Sequence, residues 1–437
     1  MKGILAVQVQ LRRLASGVCL AMTASALAMI GGPSPVAAGG GVIMYHAFLY
    51  SAGTMTDLGS VPGADQSMAS DINDVGQVVG SSFNDTGFSS AYVWSAATGM
   101  RDLNTLLPSN SGWVLQDAAG INNSGQVIGL GMIGGQVQHA YLLTPPAAGV
   151  NASIVDLGAL FTPEAINNAG QVAGTDDAHG VAAIYSAGTF TDLGTLPGGF
   201  GGGAFDVNDS SQVAGDASVP APPPVNQEDH AVLYSGGAIV DLGAGDALGI
   251  NDLGQVVGTS KSFGHAFLYS AGTITDLGTL PNFDFSQAQD INETEQIVGY
   301  AGVLAGGDLH GFLYRAGTMT DLGALPGQTN SLARRINAGG QVVGTSWGAT
   351  TVTTNSMRQA INQFLASGLI KNAGIANSLI AKLNAVDVAR AIGDCITAAN
   401  IAQAFIHELQ AQVGKSVDAA AGSTLIADAK FLIANCP

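Results

Sequence analysis

Ile72-Asn73-Asp74-Val75-Gly76-Gln77-Val78-Val79-Gly80 returns near the far end of the chain as Ile336-Asn337-Ala338-Gly339-Gly340-Gln341-Val342-Val343-Gly344. Between them the Asn recurs at Asn122, Asn167, Asn208, Asn251 and Asn292, and the Gln at Gln126, Gln171, Gln212, Gln255 and Gln296. A second anchor, Asp-Leu, precedes each of these, at Asp57, Asp102, Asp156, Asp192, Asp241, Asp276 and Asp321, with spacings of 45, 54, 36, 49, 35 and 45. Around that anchor the wording is nearly verbatim: His46–Gly59 and His265–Gly278 differ at one residue in fourteen. Seven copies of two anchors in fixed order make a repeat array, and its period sets the fold.

Each copy reads as four short strands. His46 to Tyr50 alternates, Ser51-Ala52-Gly53 turns, and Thr54 to Leu58 is the hairpin partner. A loop with Pro62-Gly63, Pro197-Gly198 or Pro326-Gly327 interrupts the ladder before a third strand around Ala69 to Ile72. Asn73 then opens a type I turn, with Gly76 fourth and at positive φ, and the chain reverses into Gln77-Val78-Val79. Copies four and six carry Ser211 and Glu295 in the glycine place, which predicts strained or differently shaped turns there.

Four strands in about 35 to 54 residues, repeated seven times, specify a seven-bladed β-propeller over residues 39–348. A linear solenoid needs polar end caps, and the outer copies are as apolar as the inner ones. The third strand has small residues at its centre (Ala69-Ser70, Ala119-Gly120, Leu248-Gly249) and is assigned to the crowded axis. It follows that one blade combines Leu332 to Thr345 with His46 to Gly59, closing the ring and removing an open edge.

These residues carry a resemblance. His-Ala-Phe with Leu-Tyr, then Asp-Leu-Gly, then Ile-Asn-x-x-Gly-Gln-Val-Val-Gly, resembles the HAF repeat of exported bacterial proteins from about Met44 to Trp347. The resemblance implies export and a propeller, and names no reaction. Copy two departs as Ala91-Tyr92-Val93-Trp94, and copy four as Ala182-Ala183-Ile184-Tyr185.

The ends differ from the array. Lys2, Arg12 and Arg13 precede an apolar run from Leu14 to Ile30, and Val36-Ala37-Ala38 offers small residues for cleavage, so residues 1–38 read as an export signal. No later segment is long and apolar enough for a membrane span. The whole chain has a formal net charge of −18, and losing the signal's three basic residues takes it to −21. Such an acidic surface excludes a nucleic-acid partner. After a linker at 349–356, apolar residues at helical spacing (Ile361, Phe364, Leu365; Ile375, Leu379, Leu383; Ile401, Phe405, Leu409; Leu425, Leu432) make residues 357–437 a small all-α bundle. The run Gln403 to Lys415 is similar to the FIMAH domain, a helical module appended to exported bacterial enzymes and surface proteins. Cys395 and Cys436 are expected to pair as a disulfide, the alternative being two buried thiols.

Candidate chemistry is sparse. His46, His139, His230, His265 and His310 open repeat copies, and each has an Asp eleven or more residues on (Asp57, Asp156, Asp241, Asp276, Asp321). A catalytic reading makes these proton-transfer pairs, but catalysis needs one converging constellation, whereas these recur around a ring. The pairs are therefore read as structural, with Asn73, Gly76, Gln77, Asn167, Asn251, Asn292 and Asn337. His407-Glu408 begins like a zinc-protease helix, yet Ala411 stands where the second His belongs. No calcium loop and no Gly-x-Ser-x-Gly elbow occur. No cofactor or metal is expected. The copy-specific segments (Phe83 to Ser90, Gly131 to Gln138, Phe200 to Gly203, Ser218 to Asp229, Asn282 to Phe285) are where a ligand would dock. The expectation is an exported, non-catalytic module that binds a surface carbohydrate or protein. The alternative is a hydrolase of polysaccharide or lactone using loop carboxylates at the axis.

Overall fold

The computed structural model describes residues 43–434 except 85–86, 136, 147–151, 223–226, 263, 305–307, 350–353 and 367. The export signal expected over 1–38 lies outside the described residues, as do 350–353 of the expected linker and Cys436.

The β region is propeller-like. Five separate antiparallel sheets have four strands each, and a sixth has seven. In each, the strand ending in the Asn turn is innermost, as in Gln66–Ile72, Val78–Phe83, Ser89–Ser95 and Gly99–Asp102, taken from axis to rim. One sheet joins the two ends of the array: Ile43–Ser51 pairs with Val342–Ala349, from Ile43 opposite Ala349 to Tyr50 opposite Val342. With Thr54–Asp57 outside and Asn330–Ile336 inside, it has the mixed composition that the strand phase required.

Seven four-stranded blades were expected, and the structure corrects this at copy five. Ala238–Ile250 is a single strand of 13 residues. Its first part pairs with Gln227–Ser235 and its second with Val256–Ser260, so two sets of strands fuse into the seven-stranded sheet. Only ten positions separate Asp241 from Asn251, against 16 in four other copies and 11 in copy three, where Ser153–Gly158 and Phe161–Ile166 still lie in separate sheets.

All seven inner strands carry a bulge at the same place. The register shifts between Ala69 and Asp71, Ala118 and Gly120, Pro163 and Ala165, Ala204 and Asp206, Ala247 and Gly249, Ala288 and Asp290, and Ala333 and Arg335. The bulge pushes a carbonyl against the neighbouring strand, and glycine is what faces it: a Cβ on Gly80 would lie 2.0 Å from Met68 O, and one on Gly299 2.0 Å from Gln287 O. No single core exists. Small clusters bridge adjacent sheets instead; one joins Ala47, Leu58 and Val343 to Ala69, Val78 and Tyr92. Each sheet thus buries its faces only against neighbours, as a repeat architecture requires.

The C-terminal helices are α1 (Thr354–Ala366), α2 (Ala373–Ala391), α3 (Cys395–Gln412) and α4 (Ala419–Ala434). The first begins three residues before the expected boundary, and Thr354 hydrogen-bonds Asp387 of α2. Met357, Ile361, Leu379, Leu383, Phe405 and Leu425 share one core. Asn372 caps α2 by accepting from Gly374 N–H at 2.8 Å, and Asp394 caps α3 by accepting from Thr397 N–H at 3.0 Å. Cys395 is in a disulfide.

Candidate functional site at the propeller axis

The Asn turns converge on the axis. Within each turn the Asn Oδ1 accepts the Gln N–H, at 2.9 Å for Asn73 and Gln77, and the Asn Nδ2 donates to the Gln Oε1. The same Nδ2 reaches across to the next copy: Asn73 to Asn122 O, Asn122 to Asn167 O, Asn167 to Asn208 O, Asn208 to Asn251 O, Asn251 to Asn292 O, and Asn292 to Asn337 O. Asn337 Nδ2 then returns to Asn73 O at 3.1 Å. Seven asparagines form a closed circuit of hydrogen bonds, all of them buried. The turn glycine is at positive φ, 78° at Gly76; of the strain or altered shape expected in copies four and six, the shape is unchanged and the strain is present as positive φ in a non-glycine residue. Ser211 and Glu295 take φ of 60° and 56°, and each gains a bond to the preceding copy's glutamine: Ser211 Oγ donates to Gln171 Oε1 at 2.7 Å, and Gln255 Nε2 donates to Glu295 Oε1 at 2.7 Å.

Outside this circuit lies a second, incomplete one. Asp74 N–H donates to Asn123, Asn123 to Asn168, Asn168 to Asp209, Asp209 to Asp252, Asp252 to Glu293, and Ala338 to Asp74, over 2.7 to 2.9 Å. It breaks at Ala338, which has no side-chain acceptor.

Two residues before the Asn, on the inner side, stand Asp71, Asp206 and Asp290, with Arg335 in the last copy. Each carboxylate clamps two backbone N–H groups: Asp71 those of Ile72 and Ile121, Asp206 those of Val207 and Ile250, Asp290 those of Ile291 and Ile336, at 2.8 to 2.9 Å. Arg335 donates to Gln289 O at 3.2 Å. Burial pushes Asp71 up to about 6 and Asp290 up to about 7, against the pull of Arg335; Asp206 is raised for the same reason. Burial alone would lower Arg335, but Asp206, Asp290, Asp71 and Glu164 outweigh it and hold the guanidinium charged. These groups line an axial funnel of about 180 Å³.

The five His–Asp pairs lie outside this funnel, in the outer hairpins. His46 Nδ1 meets Asp57 at 2.8 Å, His139 meets Asp156 at 2.9 Å, His230 meets Asp241 at 3.0 Å, His265 meets Asp276 at 3.1 Å and His310 meets Asp321 at 2.7 Å. The Asp also turns its own backbone, accepting from the N–H two residues on, as Asp57 does from Gly59 at 2.8 Å. Burial would lower His46, but Asp57 outweighs it and raises it; burial would raise Asp57, but His46 holds it below its ordinary value. In copy two, which lacks the His, Ser90 Oγ donates to Asp102 at 2.7 Å. In α3, Glu408 is held by Lys382 at 2.6 Å, which leaves His407-Glu408 without a metalloprotease role. Among the described residues no group of three or more His, Cys, Asp or Glu is placed to hold a metal ion.

The axial carboxylates were missed by sequence reasoning. Their position holds Asp in three copies and Gly120, Ala165, Gly249 or Arg335 in the rest, so only alignment of all seven Asn turns would have exposed it.

Residues 354–434 match the FIMAH domain. No curated protein matches the chain. Among solved structures it is similar to TolB from Acinetobacter baumannii (TM-score 0.34, 13% identity, 57% of this chain and 64% of TolB). It is also similar to the Pyrococcus horikoshii acylaminoacyl peptidase (0.39, 9%, 62% and 46%) and to AofleA from Arthrobotrys oligospora (0.34, 10%, 66% and 94%). The chain thus spans less than two thirds of TolB and under half of the peptidase. No described helix is long and apolar enough to cross a membrane.

Proposed function

We propose that the seven-stranded sheet counts as two blades sharing one strand, that the ring is therefore a seven-bladed propeller of HAF repeats, and that it serves as an exported, non-catalytic binding or scaffolding module for a surface carbohydrate or protein. The observation that carries this reading is the occupation of the axial carboxylates. Asp71, Asp206 and Asp290 sit at one equivalent repeat position, each holds two backbone N–H groups, and no histidine accompanies them. Catalysis calls for non-equivalent groups free to exchange protons.

Recognition falls to the end of the blades away from the Asn turns. Exposed apolar residues gather there: Phe88, Val114, Val137, Leu160, Phe200 and Leu304, the last of them 80% exposed. The helical part, residues 354–434, supplies a second docking element. A glycan and peptide array probed with the full chain tests this. Saturable binding without turnover, weakened in a Phe200→Ser, Leu304→Ser double variant and unchanged in Glu293→Gln, is the expected result. Release of cleaved product would instead favour the polysaccharide or lactone hydrolase.

A further inference from the structure

The connection from one sheet's rim to the next sheet's inner strand contains a wedge. From Asp57 to Asn73, Asp192 to Asn208, Asp276 to Asn292 and Asp321 to Asn337 the chain spans 16 positions, and an aliphatic residue before proline or its equivalent turns inward. Val61, Leu196, Leu280 and Leu325 are 1%, 7%, 2% and 4% exposed. Val61 packs among Ala47, Leu58 and Tyr92, with Met100 at the margin, and its N–H donates to Ser82 Oγ at 3.1 Å. Leu325 N–H likewise donates to Ser346 Oγ at 3.0 Å. Copy three is short, with 11 positions from Asp156 to Asn167, but Phe161 fills the place against Ala140, Leu157 and Ala183.

Copy five has neither plug. Its ten positions hold no aliphatic-proline pair, and Gly245 stands where copy three has Phe161, six residues before the Asn. What remains is a cavity of about 300 Å³, within the range of small-ligand sites. Its walls include Ala231, Leu242, Ser260, Phe267 and Ile274, which are the repeat counterparts of Ala47, Leu58, Ser82, Tyr92 and Met100 around Val61. Among the described residues no charged side chain lines it. Ser260 Oγ accepts, among the described residues, from Ser262 N–H at 3.2 Å, and a hydroxyl oxygen has room for a second donor.

We propose that this cavity binds a partner polypeptide through an exposed Leu-Pro or Val-Pro segment, which supplies the wedge that copy five omits. The branched side chain sits between Ala231, Leu242 and Phe267, and its N–H donates to Ser260. The cavity lies at the same end of the blades as the loop face, but its lining includes none of Phe88, Val114, Val137, Leu160, Phe200 and Leu304, so the inference stands whichever way that face is read.

The test uses the full chain and acetyl-Thr-Leu-Pro-Gly-amide, which copies Thr195 to Gly198. Calorimetric titration should show one saturable site, with acetyl-Thr-Ser-Pro-Gly-amide binding about tenfold or more weakly, since an apolar pocket discriminates on that scale. Ala244→Leu, which pushes methyl groups into the cavity, should weaken the Leu peptide about tenfold while leaving the melting temperature unchanged or higher. Ile274→Gln at the mouth is the second variant should the first not fold, with the same expected loss. Absence of saturable binding, equal binding of the Ser peptide, or indifference to a folded cavity variant overturns the proposal.

Discussion

At the axial end of the inner strands seven turns share one geometry, even where Ser211 or Glu295 replaces glycine; at the opposite end the connections span 10, 11, 16 or 20 positions from Asp to Asn. The contrast has a mechanical origin. An Asn that bonds both its own turn and its neighbour's carbonyl couples each copy to the next, so a deviation in one turn is felt around the circuit. A rim-to-axis connection touches only the two sheets it joins, and can shorten, lengthen or lose its plug at local cost. Closure fixes one end of the molecule and leaves the other free to diversify.

The largest effect should come from the bulge that aims the inner strands. Gly299→Val places a Cβ 2.0 Å from Gln287 O and should cost about 3 kcal/mol or more in urea unfolding. A cost below about 1 kcal/mol would mean the close approach is not needed. Next is the circuit itself. Asn208→Ala removes the donor to Asn251 O, in a buried bond, and the acceptor for Gln212 N–H, in a half-buried one, and should cost about 2 kcal/mol. At the variable end, Phe200→Ser should cost less than about 0.5 kcal/mol. Similar losses from the two changes would erase the contrast.

Legibility in the sequence followed the same division. Strand phase and the joining of the array's two ends were readable, because the Asn and Gln anchors recur without exception and small residues mark the inner strands. The fusion at copy five was not: the 35-residue spacing was visible, but copy three, one position longer from Asp to Asn, keeps its strands in separate sheets, so length alone does not decide whether the backbone stays paired through Gly243 and Gly245. The turns of copies four and six were expected to be strained or differently shaped, since propensity weighs against positive φ in Ser or Glu; the strain is there and the change of shape is not. Cross-copy hydrogen bonds, invisible to local reading, hold them in place.

A smaller effect is the pH profile of the axial end. Asp71 and Asp290, at about 6 and 7 when folded, bind protons more tightly in the folded chain, so stability falls as pH rises from about 4 through those values. The stability from His46, also raised, is fully present below its ordinary value and is lost as pH rises through the folded one. That from Asp57, which is lowered, is present above the ordinary carboxylate range and lost in acid. The melting temperature should therefore be a few degrees higher near pH 5 than near pH 8, and Asp290→Asn should flatten the slope. An unchanged slope in that variant would remove the axial carboxyls from the account. Smallest of all is Ser211→Gly: relief of positive φ and loss of the bond to Gln171 nearly offset, leaving a change under about 1 kcal/mol by calorimetry.

Native-state hydrogen exchange at Gln77, Gln126, Gln171, Gln212, Gln255, Gln296 and Gln341 reads the closure directly, since each of these N–H groups is held by its turn Asn. A closed circuit predicts that all seven open together at the free energy of global unfolding. Exchange at Gln77 and Gln341 about tenfold or more faster than at the others would mean that the ring parts where the two ends of the array meet, contradicting it.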